Sequence, residues 1–296
     1  MTRVLVVGDV VDDISVKALG PTTTASDTAA RIRMHPGGSA ANVAAWLGHL
    51  GVGCTFVGRV GADGVERHTA ALADHGVRAL LAADPQLPTA TIVLQVDDAG
   101  ERTMFVDRGA NTALVGDDVP PTAWDDVDWL HLTGYSWFDA GTRPVADRLV
   151  AEARRRGIGV SVDPSTVSFL RDCGGPTFVE WVAGVDLLFP NLEEARVLAD
   201  ARGPHVDLDA LAAQVGALVV TLGPMGAAFV ESRDGAEPRR EQVTAPRSPV
   251  LDTTGAGDAF AAGFLAAWID GRDPVPALEA GRAAAERCIA HVGARP

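Results

Sequence analysis

With 296 residues, 47% of them hydrophobic, the chain can bury one large core, or a large domain beside a small one, and is too apolar to be disordered. Its 25 basic and 39 acidic residues leave a net charge of −14, which excludes a surface that gathers nucleic acid or anionic lipid nonspecifically; an anionic ligand must be gripped locally. Cys54, Cys173 and Cys288 are odd in number and far apart, no apolar run is long enough to cross a bilayer, and the start leaves no room for a signal peptide, so a soluble cytoplasmic protein without membrane partners is expected.

In chain order, a buried strand is predicted over residues 4–7, followed by the carboxylates Asp9, Asp12 and Asp13. Asp9 and Asp12 read as loop solvation. Residues 22–34, polar and β-branched, precede the pair Gly37-Gly38, which opens a helix over 40–50 ended by Gly51. A strand over 55–57 and a helix over 65–75 ended by Gly76 come next. Residues 89–96 and 102–106 read as two strands joined by a turn at Asp98-Ala99-Gly100. Strands over 129–132, 159–162, 187–189 and 218–222, with a helix over 142–156 closed by Gly157, complete the pattern. Valine- and leucine-rich strands alternating with helices predict an α/β fold, a doubly wound and mainly parallel sheet with helices on both faces. Ligands of such sheets bind at the carboxyl ends of the strands, where Asp13, Asp163, Asn191 and Gly223 fall. The two stretches outside the alternation form either a small sheet over that site or an ordinary surface hairpin.

Leu251-Asp252-Thr253-Thr254-Gly255-Ala256-Gly257-Asp258 precedes Phe260, Phe264, Leu265 and Trp268, which are spaced for one face of a helix. Small residues at 255–257 let backbone amides converge where a helix N-terminus attracts an anion. A carboxylate at that place, Asp258, suits the removal of a proton from a hydroxyl attacking phosphorus; the competing reading is a solvated loop with Thr254 or Asp258 as N-cap. The helix N-terminus is expected to disfavour the protonated carboxyl and so give a weak base and a flat pH profile above mild acidity. Lys17 is the only lysine, and it lies outside the contexts required by Walker-A NTPases, protein kinases, Schiff-base aldolases and pyridoxal-phosphate enzymes. The segment Gly51-Val52-Gly53-Cys54-Thr55-Phe56 lacks the last glycine of a dinucleotide fingerprint.

Four segments, Gly37-Gly38-Ser39-Ala40-Ala41-Asn42, Asn191-Leu192-Glu193-Glu194, Thr221-Leu222-Gly223-Pro224-Met225-Gly226 and Asp252 to Asp258, resemble in type and order those of ribokinase-like (PfkB) carbohydrate kinases. The resemblance covers nearly the whole chain. It implies one ribokinase-like domain over 1–296 with lid segments at about 14–36 and 88–111, ATP and Mg²⁺, and phosphorylation of a primary hydroxyl on a sugar, a related polyol or a nucleoside. Asp258 then resembles the catalytic base, and Gly255, Ala256 and Gly257 the anion hole. Asp13, Gly38 and Asn42 resemble the acceptor clamp, although Asp13 and Asn42 also read as a turn cap and a helix-start residue. Asn191 and Glu194 resemble the element that acts on hydrated Mg²⁺ and phosphates, or else cap a helix; Thr221, Gly223 and Gly226 resemble the nucleotide turn, or else form a plain β-turn. Asp252 and Thr254 match a monovalent-cation loop and imply potassium. Homodimerisation through the lid is a further expectation.

The chain departs from the ribokinase pattern at Ser39, where a lysine is expected, at Val11, where an asparagine is expected, and over 129–136, which lacks a glutamate. Ribose is therefore in doubt as the acceptor. Arg108, near Asn111, reads as a cation that could reach an acidic sugar or phosphate, or as a solvated lid charge. Tyr135, Trp137 and Phe138 read either as a stack for a nucleobase or as core.

Overall fold

The structure is a computed structural model that describes residues 3–21, 24–96, 102–203, 205–233 and 235–296. The chain opens with β1 (Arg3–Val7), β2 (Val11–Ala18), β3 (Ala30–Gly37), α1 (Ser39–His49), β4 (Gly53–Gly61), α2 (Val65–Ala73), β5 (Val77–Asp84), β6 (Ala90–Val96) and β7 (Arg102–Asp107). Three short 3₁₀ turns lead to β8 (Trp129–Thr133), α3 (Tyr135–Phe138), α4 (Arg143–Arg156), β9 (Gly159–Asp163), α5 (Val167–Cys173), α6 (Gly175–Trp181) and β10 (Leu187–Leu188). The last elements are α7 (Leu192–Leu198), α8 (Leu208–Ala212), β11 (Ala217–Thr221), β12 (Ala227–Glu231), β13 (Arg239–Val243), α9 (Ala256–Gly271) and α10 (Pro274–Ile289).

Nine strands form one sheet in the order β13-β12-β11-β10-β9-β8-β1-β4-β5, parallel except for β12 and β13 at one edge. Buried on both faces, its central strands are mostly apolar, as parallel strands under helices are, with His131, Thr133 and Ser161 as buried polar exceptions. In β1, Val4 and Val6 join the core beneath α1, α9 and α10, while Leu5 and Val7 join the core beneath α4, α6 and α7. Strand β5 was not expected, because Val77–Asp84 carries alanine, leucine and arginine without strand periodicity; pairing with β4 decides its state.

A second sheet, ordered β3-β2-β6-β7, forms the lid. This favours the small sheet over the surface hairpin. The expected turn at 98–100 lies outside the described residues. Strand β2 starts four residues after β1 ends, so Asp12 and Asp13 are strand residues and not loop residues. Pairing puts Asp13 opposite His35 on β3 and opposite Ile92 on β6.

Candidate active site

Gly38 stands between β3 and α1 with φ of 98°, and a Cβ there would lie 2.6 Å from the Asp9 carbonyl oxygen, so glycine is required on two counts. The helix start that follows is closed by Asp9. Its carboxylate accepts from Ser39 N (2.7 Å), Ala40 N (3.2 Å) and Thr133 Oγ1 (2.9 Å). Asp9 is thus the cap of α1, a correction to its reading as loop solvation. Asp12 needs the same correction. It is buried, accepting from Arg67 Nη2 at 2.6 Å, with His68 Nε2 3.2 Å away.

With its N-terminus capped by Asp9, α1 turns two side chains toward Asp258. Ser39 Oγ donates to Asp258 Oδ1 at 2.7 Å, and Asn42 Nδ2 donates to Asp258 Oδ2 at 2.9 Å. Behind them, Arg295 donates from Nε to Asn42 Oδ1 (3.1 Å) and from Nη2 to the Gly37 carbonyl (2.9 Å), while its Nη1 is buried without a hydrogen-bond partner among the described residues. The guanidinium fixes which end of the Asn42 amide faces Asp258. Asn42 therefore bonds Asp258 in this structure while also lining the cavity where the resemblance implies a contact to the acceptor. Ser39, noted in the sequence only as a missing lysine, bonds Asp258 too.

Asp258 lies in the first turn of α9, whose N-cap Gly255 has φ of 76° and packs so closely on Ala294 that a Cβ would approach to 2.6 Å. The Ala256 amide donates to the Thr253 carbonyl at 3.2 Å, which leaves Gly257 and Asp258 at the open end of the helix; a Cβ on Gly257 would enter empty space. Burial pushes the Asp258 carboxyl up to about 7, with Asp9 and Asp13 adding repulsion and the two donated hydrogen bonds pulling the other way. The expected weak base is therefore corrected: desolvation outweighs the helix terminus.

Two cavities meet at this loop. One, of about 210 Å³, runs under the lid and is lined by Asp13, Gly38, Ser39, Tyr135, Gly255 and Asp258 with Ile92, Leu94 and Val106 of the lid. The other, of about 640 Å³, is lined by Thr221, Gly223, Gly226, Thr253, Gly257 and Phe260 with residues of α10. Asp13 accepts no hydrogen bond among the described residues, and burial raises it to about 6 against the opposing pull of Arg295. Its carboxylate lies over Gly37, where a Cβ would come within 1.9 Å of Oδ2.

Other expected residues have local partners. Arg108 pairs with Asp139 and donates to the Tyr135 carbonyl at 2.9 Å, so its charge is anchored at the cavity wall. Asn111 bonds both the amide (3.3 Å) and the carbonyl (3.1 Å) of Val10, bracing the start of β2. Asn191 and Glu194 form a reciprocal cap of α7, each accepting the other's amide at 2.9 Å. Glu194 is also buried, and burial pushes it up to about 7; Asp163 is raised well above the ordinary carboxylate range by burial and by Glu194. Asp252 Oδ1 accepts from Thr254 N and Oγ1, and Oδ2 accepts from Gly293 N at 3.1 Å, tying the loop to the tail after α10. Of the three aromatics, Trp137 is core, Phe138 packs at a tilt against Phe169 and Phe178, and Tyr135 alone of them lines the lid cavity.

The family model described as pfkB family carbohydrate kinase matches residues 1–296. An ATP-dependent ribose-1-phosphate kinase of Halopiger xanaduensis is 32% identical, with 100% of this chain and 94% of that protein covered. A fructokinase of Vibrio alginolyticus is 32% identical over 90% of this chain and 84% of its own length. Among solved structures, an adenosine kinase of Sinorhizobium meliloti superposes with a TM-score of 0.87 at 27% identity, covering 100% of this chain and 96% of that one. From its first residue to its last, the chain belongs to the pfkB family of carbohydrate kinases.

Proposed function

We propose that this ATP-dependent kinase moves the γ-phosphoryl group of ATP to a primary hydroxyl of a sugar or related polyol, with Asp258 as general base. The observation that carries the reading is Asp258 itself. It is gripped on both oxygens and stands at the open end of α9 where the two cavities meet. The acceptor oxygen bonds to phosphorus as the bond from phosphorus to the ADP oxygen breaks, and the hydroxyl proton goes to the Asp258 carboxylate. The lid cavity takes the acceptor, with Asp13 receiving its other hydroxyls; the cavity at Gly223 and Gly226 takes the nucleotide. The amides at Gly257 and Asp258 meet the transferring group.

Asp163 and Glu194 would hold Mg²⁺: both carboxyls are buried and raised, Asp163 partly by Glu194, and a hydrated divalent cation would relieve that cost. When bound it would neutralise phosphate charge. The loop shaped by Asp252 and Thr254 is where potassium would sit. A nucleoside is the second reading, favoured by the apolar wall of Ile92, Leu94 and Val106 facing Tyr135. The outer lid face, with Ile32, Met34 and Phe105 all more than half exposed, is assigned to a second copy of the chain, and sedimentation tests it.

The deciding experiment measures acceptor-dependent ADP release with sugars, sugar acids and nucleosides for wild type and Asp258→Asn. The substitution should lower kcat by about 10² to 10⁴ with ATP affinity within a few fold. Near-normal turnover would remove Asp258 from the chemistry.

A further inference from the structure

On β2, Asp13 and Ser15 face the lid cavity, and the period of two carries the same face on to Lys17. Directly opposite them on β3 stand His35, Arg33 and Arg31. Lys17, Arg31 and Arg33 therefore lie together on the cavity-facing side of the lid, with Lys17 and Arg31 paired face to face. Like charges placed directly opposite destabilise an antiparallel pair. No carboxylate relieves them: among the described residues, none of the three side chains has an ion pair or a hydrogen bond, in a chain with net charge −14. The arrangement runs into the acceptor cavity through Ser15 and His35, and His35 Nε2 is buried there with no hydrogen-bond partner among the described residues.

The spacing sets what these groups can reach. Arg33 is level with Ser15, two residues along the strand from Asp13, a rise of roughly 7 Å. That is comparable to the length of a pentose or hexose. Arg108, the cation that the sequence offered for this purpose, is held by Asp139. We propose that the acceptor carries a second, anionic group, a phosphate monoester or a carboxylate, at the end away from the reacting hydroxyl, and that Arg33 binds it, with Lys17 and Arg31 adding attraction at the rim. The inference rests on the kinase reading above and narrows its substrate class. Asp13 keeps the polyol portion, since an anion beside it would be repelled, and a planar guanidinium can take two oxygens of the anion at once.

The test compares matched acceptors at fixed ATP and Mg²⁺: ribose with ribose 1-phosphate, and glucose with gluconate, which separates phosphate from carboxylate. One anionic acceptor should exceed its neutral partner in kcat/KM by about tenfold or more, and the advantage should shrink as salt rises. Arg33→Gln should narrow that ratio by about tenfold through KM, and Arg33→Lys should restore part of it. Equal use of neutral and anionic acceptors, or an Arg33→Gln loss equal for both members of a pair, would overturn the proposal. Acceptor-dependent ADP release with neutral acceptors alone overturns it while leaving the kinase reading intact; no acceptor-dependent ADP release with any acceptor, nucleosides included, overturns both.

Discussion

Arg295→Met removes a buried cation and its two hydrogen bonds, to Asn42 Oδ1 at 3.1 Å and to the Gly37 carbonyl at 2.9 Å. Hydrogen bonds to charged groups contribute about 1.5–3 kcal/mol each, and the desolvation that pulls Arg295 down to about 10 offsets part of this. A net destabilisation of about 2–4 kcal/mol at neutral pH follows. Among the described residues, the charged or titratable groups coupled electrostatically to Asp258 include Asp9, Asp13, Asp163, Tyr135, Cys288 and Arg295, and of these Arg295 alone is a cation. Without it, Asp258 and Asp13, already at about 7 and about 6, must rise further. A carboxyl whose folded pKa lies above its unfolded value of 3.8 stabilises the fold fully below that value, and the contribution is lost as pH climbs through the folded pKa. The variant should therefore melt closest to wild type in mild acid and fall progressively behind as the pH passes through 6 to 8.

Kinetics provide the second readout. In wild type, kcat/KM should rise with pH along a limb near 7, and in Arg295→Met that limb should move to higher pH, each unit corresponding to about 1.4 kcal/mol of lost preference for the charged carboxylate. Arg295→Lys keeps the charge without the fork, so its limb should stay near that of wild type while kcat falls. A pH-independent loss with the limb unmoved would refute the electrostatic coupling and leave Arg295 as a packing residue.

Because Asn42 bonds Asp258, Asn42→Ala should lower kcat in the wild-type background and cost much less in Asp258→Asn; additive losses in a double-mutant cycle would deny that contact a catalytic role. Asp13→Asn should raise acceptor KM by about tenfold or more and leave ATP affinity unchanged, and isothermal titration with ATP checks the second half. Glu194→Gln should raise the Mg²⁺ concentration needed for half-maximal rate more than it raises acceptor KM; equal shifts would place Glu194 away from the metal.

The fold was legible wherever burial on both faces writes an unbroken apolar run, as in β1 and β11, and wherever a glycine ends a helix, as Gly157 ends α4. It was not legible in β13, whose Arg-Arg-Glu-Gln-Val is half-exposed at a sheet edge and carries the composition of a loop. The candidate site divides in the same way. Gly255, Ala256, Gly257 and Asp258 are contiguous, so their chemistry shows in one segment. The Asp9 cap of α1, the Arg108 pairing with Asp139 and the Arg295 bond to Asn42 join residues 30, 31 and 253 positions apart, and no local pattern encodes such partners. The bond from Asn42 to Asp258, 216 positions along the chain, was invisible in the sequence for the same reason.

The segment after α10 is short and non-helical, yet Trp46 bonds the Ala294 carbonyl, Gly293 bonds Asp252, and Arg295 supports Asn42. Held by these bonds and not by a helix or strand, the segment can open on its own while the sheet and both cores stay folded. Each opening would release Asn42 and the Asp252 loop together, so the fraction of molecules able to turn over is set by this local equilibrium and not by global unfolding. Warming should then silence the enzyme below its melting temperature, reversibly, as the tail lets go before the body does.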